Sequence, residues 1–287
     1  MEAKFGIPDL KRKLLAEVRA LFRPNGSVWK SPILQVLGEL RQSDVQAVLF
    51  GGTLRSLLVS RIFDGRFGRP RDIDVVVSGA ALSQLEERFS SMIARHTRFG
   101  GLQLRNGSWR FDVWPLNETW AFRKDLRVSP GFEDLPSTTA FNLEAIAVEA
   151  WSRAGRPRAL FSGNDQFFEG LLSRTLELNR TDSPFPELTV IRGVIMATEL
   201  RFRIGPRLAE YIGEIGPNLS EEAIARIQAH HYGHHRMSSF TLKQLIELIA
   251  SRSLERAPLD LPRLGQLYLW ESQRELTSRV NIHCLDR

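Results

Sequence analysis

Apolar and polar positions follow two different patterns along the chain, and the change comes near residue 162. Before it, short apolar runs with a period of two lie between longer segments with a period near 3.6, which predicts strands interleaved with helices. The predicted helices of this part are 8–22, 32–42, 53–63 and 80–97. The predicted strands are 47–50, 73–77, 101–105, 108–114, 143–151 and 158–161.

Beyond residue 162 the spacing is helical almost throughout. The helices predicted there are 164–179, 187–203, 206–214, 219–231, 240–252 and 262–281. The chain is therefore predicted to have an α+β fold in two domains. Residues 1–162 would hold a small mixed β-sheet flanked by helices, and residues 163–287 would be all helical.

The composition narrows the class of partner. Of the 287 residues, 43% are hydrophobic, which is enough for one large domain or two modest ones. No long apolar run and no signal-peptide pattern occurs, so we expect no membrane association. The net charge of +6 favours anionic partners such as nucleic acid or nucleotides. The single cysteine, Cys284, permits no internal disulfide, which suits the cytoplasm.

Two aspartates open the predicted strand 73–77. Asp72 and Asp74 are separated by one residue, so in a strand both side chains lie on one face. Neighbouring carboxylates repel each other unless a cation lies between them, and hard oxygen ligands suit Mg²⁺. A solvated turn with two surface aspartates is the alternative interpretation.

A third acid changes the balance between these interpretations. Asp112 lies in the aromatic strand SWRFDVW, where an acid is costly unless it is paired or binds a metal. Asn106-Gly107 precedes this strand and predicts a two-residue hairpin turn of type I′. If this strand lies beside 73–77, three carboxylates converge into a site for two metal ions. Pairing of Asp112 with Arg110 is the alternative.

A glycine pair supplies a candidate phosphate site. Gly51 and Gly52 stand between a predicted strand and a predicted helix. Glycines let the backbone approach a phosphate, and the helix N-terminus offers free N–H groups to it. Arg55, one turn into the helix, could reach phosphate oxygens or form a structural salt bridge.

Four of the six histidines lie in the segment HHYGHH, as His230, His231, His234 and His235. On one continuous helix they would form two pairs spaced by four residues, which can bind a transition metal. Gly233 instead predicts that the helix ends here. A cationic helix end or an RNA-facing surface is therefore the preferred interpretation.

Taken together, these motifs resemble the head domain of the poly(A) polymerase and CCA-adding tRNA nucleotidyltransferase class, within the DNA polymerase beta-type superfamily. The resemblance covers about residues 33–205 and includes the glycine pair, the DID segment and Asp112. It continues more weakly through Glu118-Thr119-Trp120 and the block TTAFNLEAIA at 138–147. The segment from 164 to about 203, with Arg192 in VIRGVIMA, resembles the neck of these enzymes.

The resemblance implies a metal-dependent nucleotidyltransferase that moves an NMP from an NTP to a hydroxyl and releases pyrophosphate. Asp72 and Asp74 would bind two Mg²⁺ ions, with Mn²⁺ as an alternative, and Asp112 would bind the catalytic one. The residues expected to contact the nucleotide, which ATP would exemplify, are Gly51, Gly52, Arg55 and Arg192. An RNA 3′ end of the tRNA type is the favoured acceptor, and a protein partner is left open.

Several positions depart from the family pattern. Thr138 and Thr139 stand where the family has paired arginines, and Glu144 stands where it has asparagine. The base-reading element of the neck is replaced by a segment with Phe185, Pro186 and Thr189. The substrate is therefore expected to differ from that of the CCA-adding relatives. The alternatives are a toxin-, defence- or resistance-type enzyme that modifies a protein or small molecule, and a catalytically inactive nucleotide-binding scaffold.

Overall fold

A computed structural model describes residues 5–22, 31–43, 45–63, 70–97, 99–125, 129–152 and 156–262. The chain divides into two compact units, Met1–Leu172 and Ser173–Arg287. No helix in the described ranges is long and apolar enough to span a bilayer.

The first unit combines seven strands with most of the helices that precede residue 173. Its strands are β1 (Gln46–Phe50), β2 (Asp72–Ser78), β3 (Ile93–His96), β4 (Leu102–Asn106), β5 (Trp109–Pro115), β6 (Ala147–Glu149) and β7 (Leu160–Phe161). Its helices are α1 (Ile7–Leu21), α2 (Ser31–Gln42), α3 (Gly52–Ile62), α4 (Leu82–Arg88), α5 (Trp120–Lys124) and α6 (Gln166–Ser173), the last of which ends at the division.

All seven strands form one sheet in the order β3-β4-β5-β2-β1-β6-β7. Each neighbouring pair is antiparallel except β2 and β5, which run parallel in the middle. The predicted α+β class with a mixed sheet is confirmed, although seven strands make a larger sheet than the small one expected. The β4–β5 hairpin therefore lies next to β2, with β5 as the strand that pairs with it.

The alternation of side chains gives β2 two different faces. Ile73, Val75 and Val77 are fully buried on one face. On the other face Val76 belongs to an apolar cluster, which partly buried Phe50 and Trp114 extend. That second face also carries Asp72 and Asp74 at the start of the strand, so the cluster covers one end of it and the acids occupy the other.

The second unit is largely helical, as its spacing predicted. Its helices are α7 (Pro186–Leu200), α8 (Pro206–Ile215), α9 (Glu221–Tyr232) and α10 (Ser239–Ser251). Two short parallel strands pair with each other: β8 (Thr175–Leu176) precedes α7, and β9 (Arg203–Ile204) lies between α7 and α8. The helix predicted at 262–281 lies almost wholly outside the described residues.

Strand pairing overrides helical spacing at three places. The helix predicted at 80–97 is wrong beyond Arg88, because Ile93–His96 pairs with β4. The helices predicted at 164–179 and 187–203 are too long, because 175–176 and 203–204 pair with each other. In each case hydrogen bonds to a distant strand decide the local conformation, which a local pattern cannot register.

Two other local predictions need correction. The strand predicted at 143–151 is reduced to Ala147–Glu149, because Asn142–Glu144 forms a 3₁₀ turn. In the hairpin, Asn106 pairs with Trp109, so the turn residues are Gly107 and Ser108. Only Gly107 has a positive φ, of 58°. This is the pattern of a type II′ turn, with glycine first, rather than of type I′.

Candidate functional site

Two neighbouring strands in the middle of the sheet carry the three predicted carboxylates. β2 and β5 pair with Asp74 opposite Asp112 and Asp72 opposite Arg110. Residues that are opposite each other in register share a face of the sheet, so the three acids lie on one face. The parallel pairing therefore brings together acids from two separate motifs.

Asp74 lies against the start of α3. Its N–H donates to Thr53 Oγ1 at 2.7 Å, and that hydroxyl lies 3.3 Å from Asp74 Oδ2, to which it donates. A Cβ added to Gly52 would lie 3.6 Å from the same Oδ2. Burial, and then the negative charges of Asp112 and Asp72, raise the pKa of Asp74 to about 8. At neutral pH this carboxyl keeps its proton unless a cation offsets the surrounding negative charge.

Asp112 has a polar partner from the hairpin. Gln103 Nε2 donates to Asp112 Oδ1 at 2.9 Å, from the position directly opposite on β4. Burial raises the pKa of Asp112, and the hydrogen bond from Gln103 opposes that rise. The alternative pairing of Asp112 with Arg110 is not what the structure has, because Arg110 contacts Asp72.

Asp72 is held between two arginines. Arg71 Nε donates to Asp72 Oδ2 at 2.6 Å. Arg110 Nε lies 2.8 Å from Asp72 Oδ1, so the two side chains form an ion pair. Oδ1 is buried and accepts no hydrogen bond from the described residues. An oxygen in this state can accept a cation without breaking a hydrogen bond.

The carboxylates of the site suit a hard divalent cation, although the three of them are not arranged around one ion. Carboxylate oxygens are the ligands that Mg²⁺ prefers, and the mutual repulsion of Asp74 and Asp112 would be relieved by such an ion. Within the described ranges, however, no group of three or more His, Cys, Asp or Glu side chains is arranged as a metal site. Asp72 would have to exchange its arginines for the metal before all three acids shared one.

The turn at Gly51 has a backbone conformation that glycine adopts readily and that would strain any other residue. Gly51 has φ 55° and ψ −121°, and its N–H donates to Ile146 O at 3.0 Å. A Cβ at this position would lie 3.7 Å from Glu144 O. The turn thus needs glycine for its backbone conformation, and it delivers the N-terminus of α3 to the edge of the acidic face.

Arg55 is engaged by a carboxylate. Its Nη1 lies 3.0 Å from Glu144 Oε1, and both side chains are largely buried, with 18% and 11% exposed. Of the two roles open to Arg55, the structure therefore has the salt bridge. Glu144 also contributes to raising the pKa of Asp74, after the larger effects of burial and of the other two aspartates.

The remaining sequence-predicted positions are spread over both units. Thr138 and Thr139 are buried, and their hydroxyls donate to backbone carbonyls of their own loop. Arg192 lies on α7 of the second unit. On the same helix Thr189 is buried, and its hydroxyl donates to Ser183 Oγ at 2.8 Å.

The solved structures most informative for this geometry are CCA-adding enzymes. The Thermotoga maritima enzyme complexed with tRNA superposes with a TM-score of 0.51 at 19% identity, over 82% of this chain and 54% of that one. A CCA-adding enzyme in complex with CTP gives 0.52 at 18% identity, over 85% and 56%. The Bacillus stearothermophilus enzyme in complex with CTP gives 0.51 at 18%, over 77% and 57%.

The chain has the fold of the CCA-adding enzymes. It spans little more than half the length of these three. No protein-family model matches the chain, and no curated protein sequence does. The likeness is therefore one of fold, and it agrees with the family that the motifs resembled.

The histidine segment belongs to the second unit, whereas the three acids belong to the first. α9 ends at Tyr232, and Gly233 takes the left-handed conformation with φ 77°. His234 and His235 therefore follow the helix end, as Gly233 predicted, and the two i,i+4 pairs do not form on one helix. His231 packs edge-on against Tyr232 at 4.5 Å between ring centroids.

Sequence reasoning missed three side chains around the acids. Thr53 follows the glycine pair directly, so its proximity to a strand end could have been inferred from that motif. Gln103 could have been found by pairing the hairpin register, since it comes directly opposite Asp112. Arg71 adjoins the DID motif, but nothing in the sequence indicates that it pairs with Asp72.

Proposed function

We propose that this protein is a metal-dependent nucleotidyltransferase that moves an NMP from an NTP to the 3′ hydroxyl of an RNA and releases pyrophosphate. The observation that carries the proposal is the parallel register that sets Asp74 opposite Asp112, one strand away from the glycine turn. Clustered acids beside a strand-to-helix glycine turn are what metal-assisted phosphoryl transfer requires.

The residue roles follow from position. Asp74 and Asp112 would hold one divalent ion between them, and Asp72 would join them on releasing its arginines. The ion, when bound, supplies charge neutralisation on the phosphates and favours ionisation of the attacking hydroxyl. Mg²⁺ is the expected ion, with Mn²⁺ able to replace it. The N–H groups at the start of α3 would accept the triphosphate, which Gly51 and Gly52 let approach.

The two arginines predicted to contact the nucleotide take different places in the proposal. Arg55 would reach a phosphate only by leaving Glu144, so its first role is to hold the 3₁₀ turn against α3. Arg192, on α7, keeps a role in nucleotide binding as a hypothesis.

The acceptor is proposed from charge and from the neighbours. The net charge of +6 favours a polyanion. One solved neighbour is named as a complex with tRNA and two others as complexes with CTP. An RNA 3′ end in the cytoplasm, where NTPs are abundant, is therefore the acceptor we favour. The altered neck positions at 185–189 support a choice of nucleotide different from that of the neighbours.

The test is transfer of label from each of the four α-³²P NTPs to total RNA in the presence of Mg²⁺. We expect one NTP to label RNA, and the double variant Asp74→Ala plus Asp112→Ala to lose the signal. Asp9→Asn, which removes an exposed carboxylate on α1, serves as the matched control and should keep it. Equal labelling by the wild type and the double variant would refute the assignment of these two aspartates to the catalytic site. If label is found only in protein or only in small molecules, that class of molecule is the acceptor and RNA is not.

A second function is favoured by the ion pair between Arg55 and Glu144. With Asp72 also occupied by arginines, the site could bind a nucleotide without turning it over, as an inactive scaffold. Titration calorimetry separates the two functions. Mg-NTP binding without transfer to any acceptor class supports the scaffold, and transfer that depends on Asp74 excludes it.

A further inference from the structure

A cleft of about 480 Å³ opens at the tip of the β4–β5 hairpin. Its lining residues are Pro70, Arg71, Arg105, Gly107, Ser108 and Arg110. Half of these described lining residues are arginines, and none of the six is acidic. The proposed transfer reaction has so far given this cleft no role.

The arginines are placed at a cost in stability. Arg105 and Arg110 are directly opposite each other in the antiparallel β4–β5 register. Like charges in this position repel each other and destabilise a hairpin. An anion bound between the two guanidinium groups would convert that repulsion into attraction. The contact of Arg110 with Asp72 offsets part of this repulsion, and the two arginines together concentrate positive charge on the wall of the cleft.

The cleft adjoins the acidic face on the side of the β4–β5 hairpin. Arg71 and Arg110 each line it and each contact Asp72, so its inner wall is continuous with the carboxylates. In the sheet order, β5 and β4 lie on one side of β2, while β1 and the glycine turn that follows it lie on the other. The acids thus stand between the glycine turn and the arginine cleft.

This order matches the geometry of the proposed reaction. In phosphoryl transfer the attacking oxygen and the leaving pyrophosphate lie roughly in line on opposite sides of the transferred phosphorus. If the triphosphate lies at the glycine turn, the acceptor must approach from the hairpin side. The positive cleft stands where the chain leading to the attacking hydroxyl would enter.

We propose that the arginine cleft binds a backbone phosphate of the polynucleotide acceptor close to its 3′ end. The inference rests on the proposed function and adds where the acceptor is held. Guanidinium groups recognise phosphate through paired N–H donors, and Ser108 adds a hydroxyl. The described lining residues contact phosphate through charge and a hydroxyl, so we infer that the cleft positions the strand by its backbone.

Arg105 is the residue on which the test turns, because it lines the cleft without taking part in the ion pairs of Asp72. The probe is a 5′-fluorescein single-stranded RNA of about 12 nucleotides, followed by anisotropy over a range of salt concentrations without NTP. We expect Arg105→Gln to weaken binding about ten-fold at low salt. The slope of log affinity against log salt should fall by about 0.7. Arg105→Lys keeps the charge and should retain the wild-type slope.

Arg12→Gln is the matched control, since it removes an exposed arginine on α1 and should leave the slope unchanged. Inorganic tripolyphosphate should compete with Mg-NTP at the proposed triphosphate site on the glycine turn, and Arg105→Gln should leave that competition unchanged. If Arg105→Gln weakens tripolyphosphate binding instead of RNA binding, the cleft holds the triphosphate and the inference is overturned. The same follows if the RNA slope of Arg105→Gln equals that of the wild type.

These outcomes are separable from those of the proposed function. RNA binding is measured without turnover, so the cleft can fail its test while the wild type still transfers nucleotides. Conversely, the loss of transfer in the aspartate variants leaves the salt slope of RNA binding as an independent result.

Discussion

Asparagine in place of Asp74 should make the protein more stable at alkaline pH while removing the proposed transfer activity. The structure holds this carboxyl beside Asp112 and Asp72, with a pKa of about 8 against the usual 3.8. Between these two pH values the folded protein keeps a proton that the unfolded chain has lost. The folded state thus binds more protons, and the stability of the wild type falls as the pH rises from about 4 to about 8.

The magnitude follows from the difference between the two pKa values. At 1.36 kcal/mol for each tenfold change in proton affinity, the full effect is roughly 6 kcal/mol. Asp74 is crowded by protein atoms yet keeps some solvent exposure, and water screens the repulsion. We therefore expect Asp74→Asn to gain about 2 kcal/mol over the wild type between pH 5 and pH 9. The asparagine side chain keeps an oxygen that can accept from Thr53.

Urea unfolding followed by tryptophan fluorescence, in EDTA, measures this difference. Five of the six tryptophans belong to the first unit, so the signal reports on the unit that carries Asp74. Added Mg²⁺ should narrow the gap, because the ion binds the wild-type carboxylates and stabilises their folded form.

Asp165→Asn is the contrasting control. Burial would raise the pKa of Asp165, but hydrogen bonds from Lys11 and Ser162 outweigh that and lower it. This carboxylate therefore stabilises the fold above its unfolded pKa, and its removal should cost about 1 kcal/mol at neutral pH. If wild type and Asp74→Asn keep a constant stability difference from pH 5 to pH 9, the repulsion assigned to Asp74 is absent.

Three further variants test the residues that surround the three aspartates. Gly51→Ala should lose about 2 kcal/mol of stability in urea unfolding, because alanine is strained at φ 55° and ψ −121°. Glu144→Gln should lose about 2 kcal/mol in the same assay, because it removes the negative charge of a largely buried ion pair with Arg55. Thr53→Val should lower both stability, by about 1 kcal/mol, and transfer activity. It removes the acceptor for the N–H of Asp74 and the donor to its carboxylate.

Each of these variants has a control in the same chain. Gly38→Ala, in the middle of α2 with nothing within 4 Å of the added Cβ, should gain up to about 1 kcal/mol. Glu118→Gln breaks an exposed pair with Arg123 and should change stability by less than about 1 kcal/mol. Thr198→Val removes a hydroxyl that donates back to its own helix and should be close to neutral. A variant that matches its control refutes the role given to that residue.

The motifs of the site could be read from the sequence because each is local. The DID segment shows its period of two, and the β4–β5 hairpin shows its turn and its alternation. What could not be read is that β5 adds in parallel to β2 rather than pairing elsewhere. That choice depends on contacts between segments far apart in the chain, for which one sequence carries no local signal.

The contacts that the site residues make with distant residues could not be predicted for the same reason. Arg55 and Glu144 are 89 positions apart, and the pairing depends on a 3₁₀ turn where a strand was predicted. Similarly, the helical spacing of 80–97 continues past Arg88, but the neighbouring strand β4 captures Ile93–His96. Local propensity is worth a few tenths of a kcal/mol per residue, and a sheet edge with unpaired N–H and C=O groups outweighs it.

The parallel register of β2 and β5 ties the proposed chemistry to the hydrophobic core. The register that sets Asp74 opposite Asp112 also sets Ile73 opposite Phe111 and Val75 opposite Val113. A slip of one residue would turn the acids inward and the apolar side chains outward. The sheet can therefore hold the acids proposed as metal ligands in register only while its core is correctly packed. Natural selection acting on either set of side chains preserves the other.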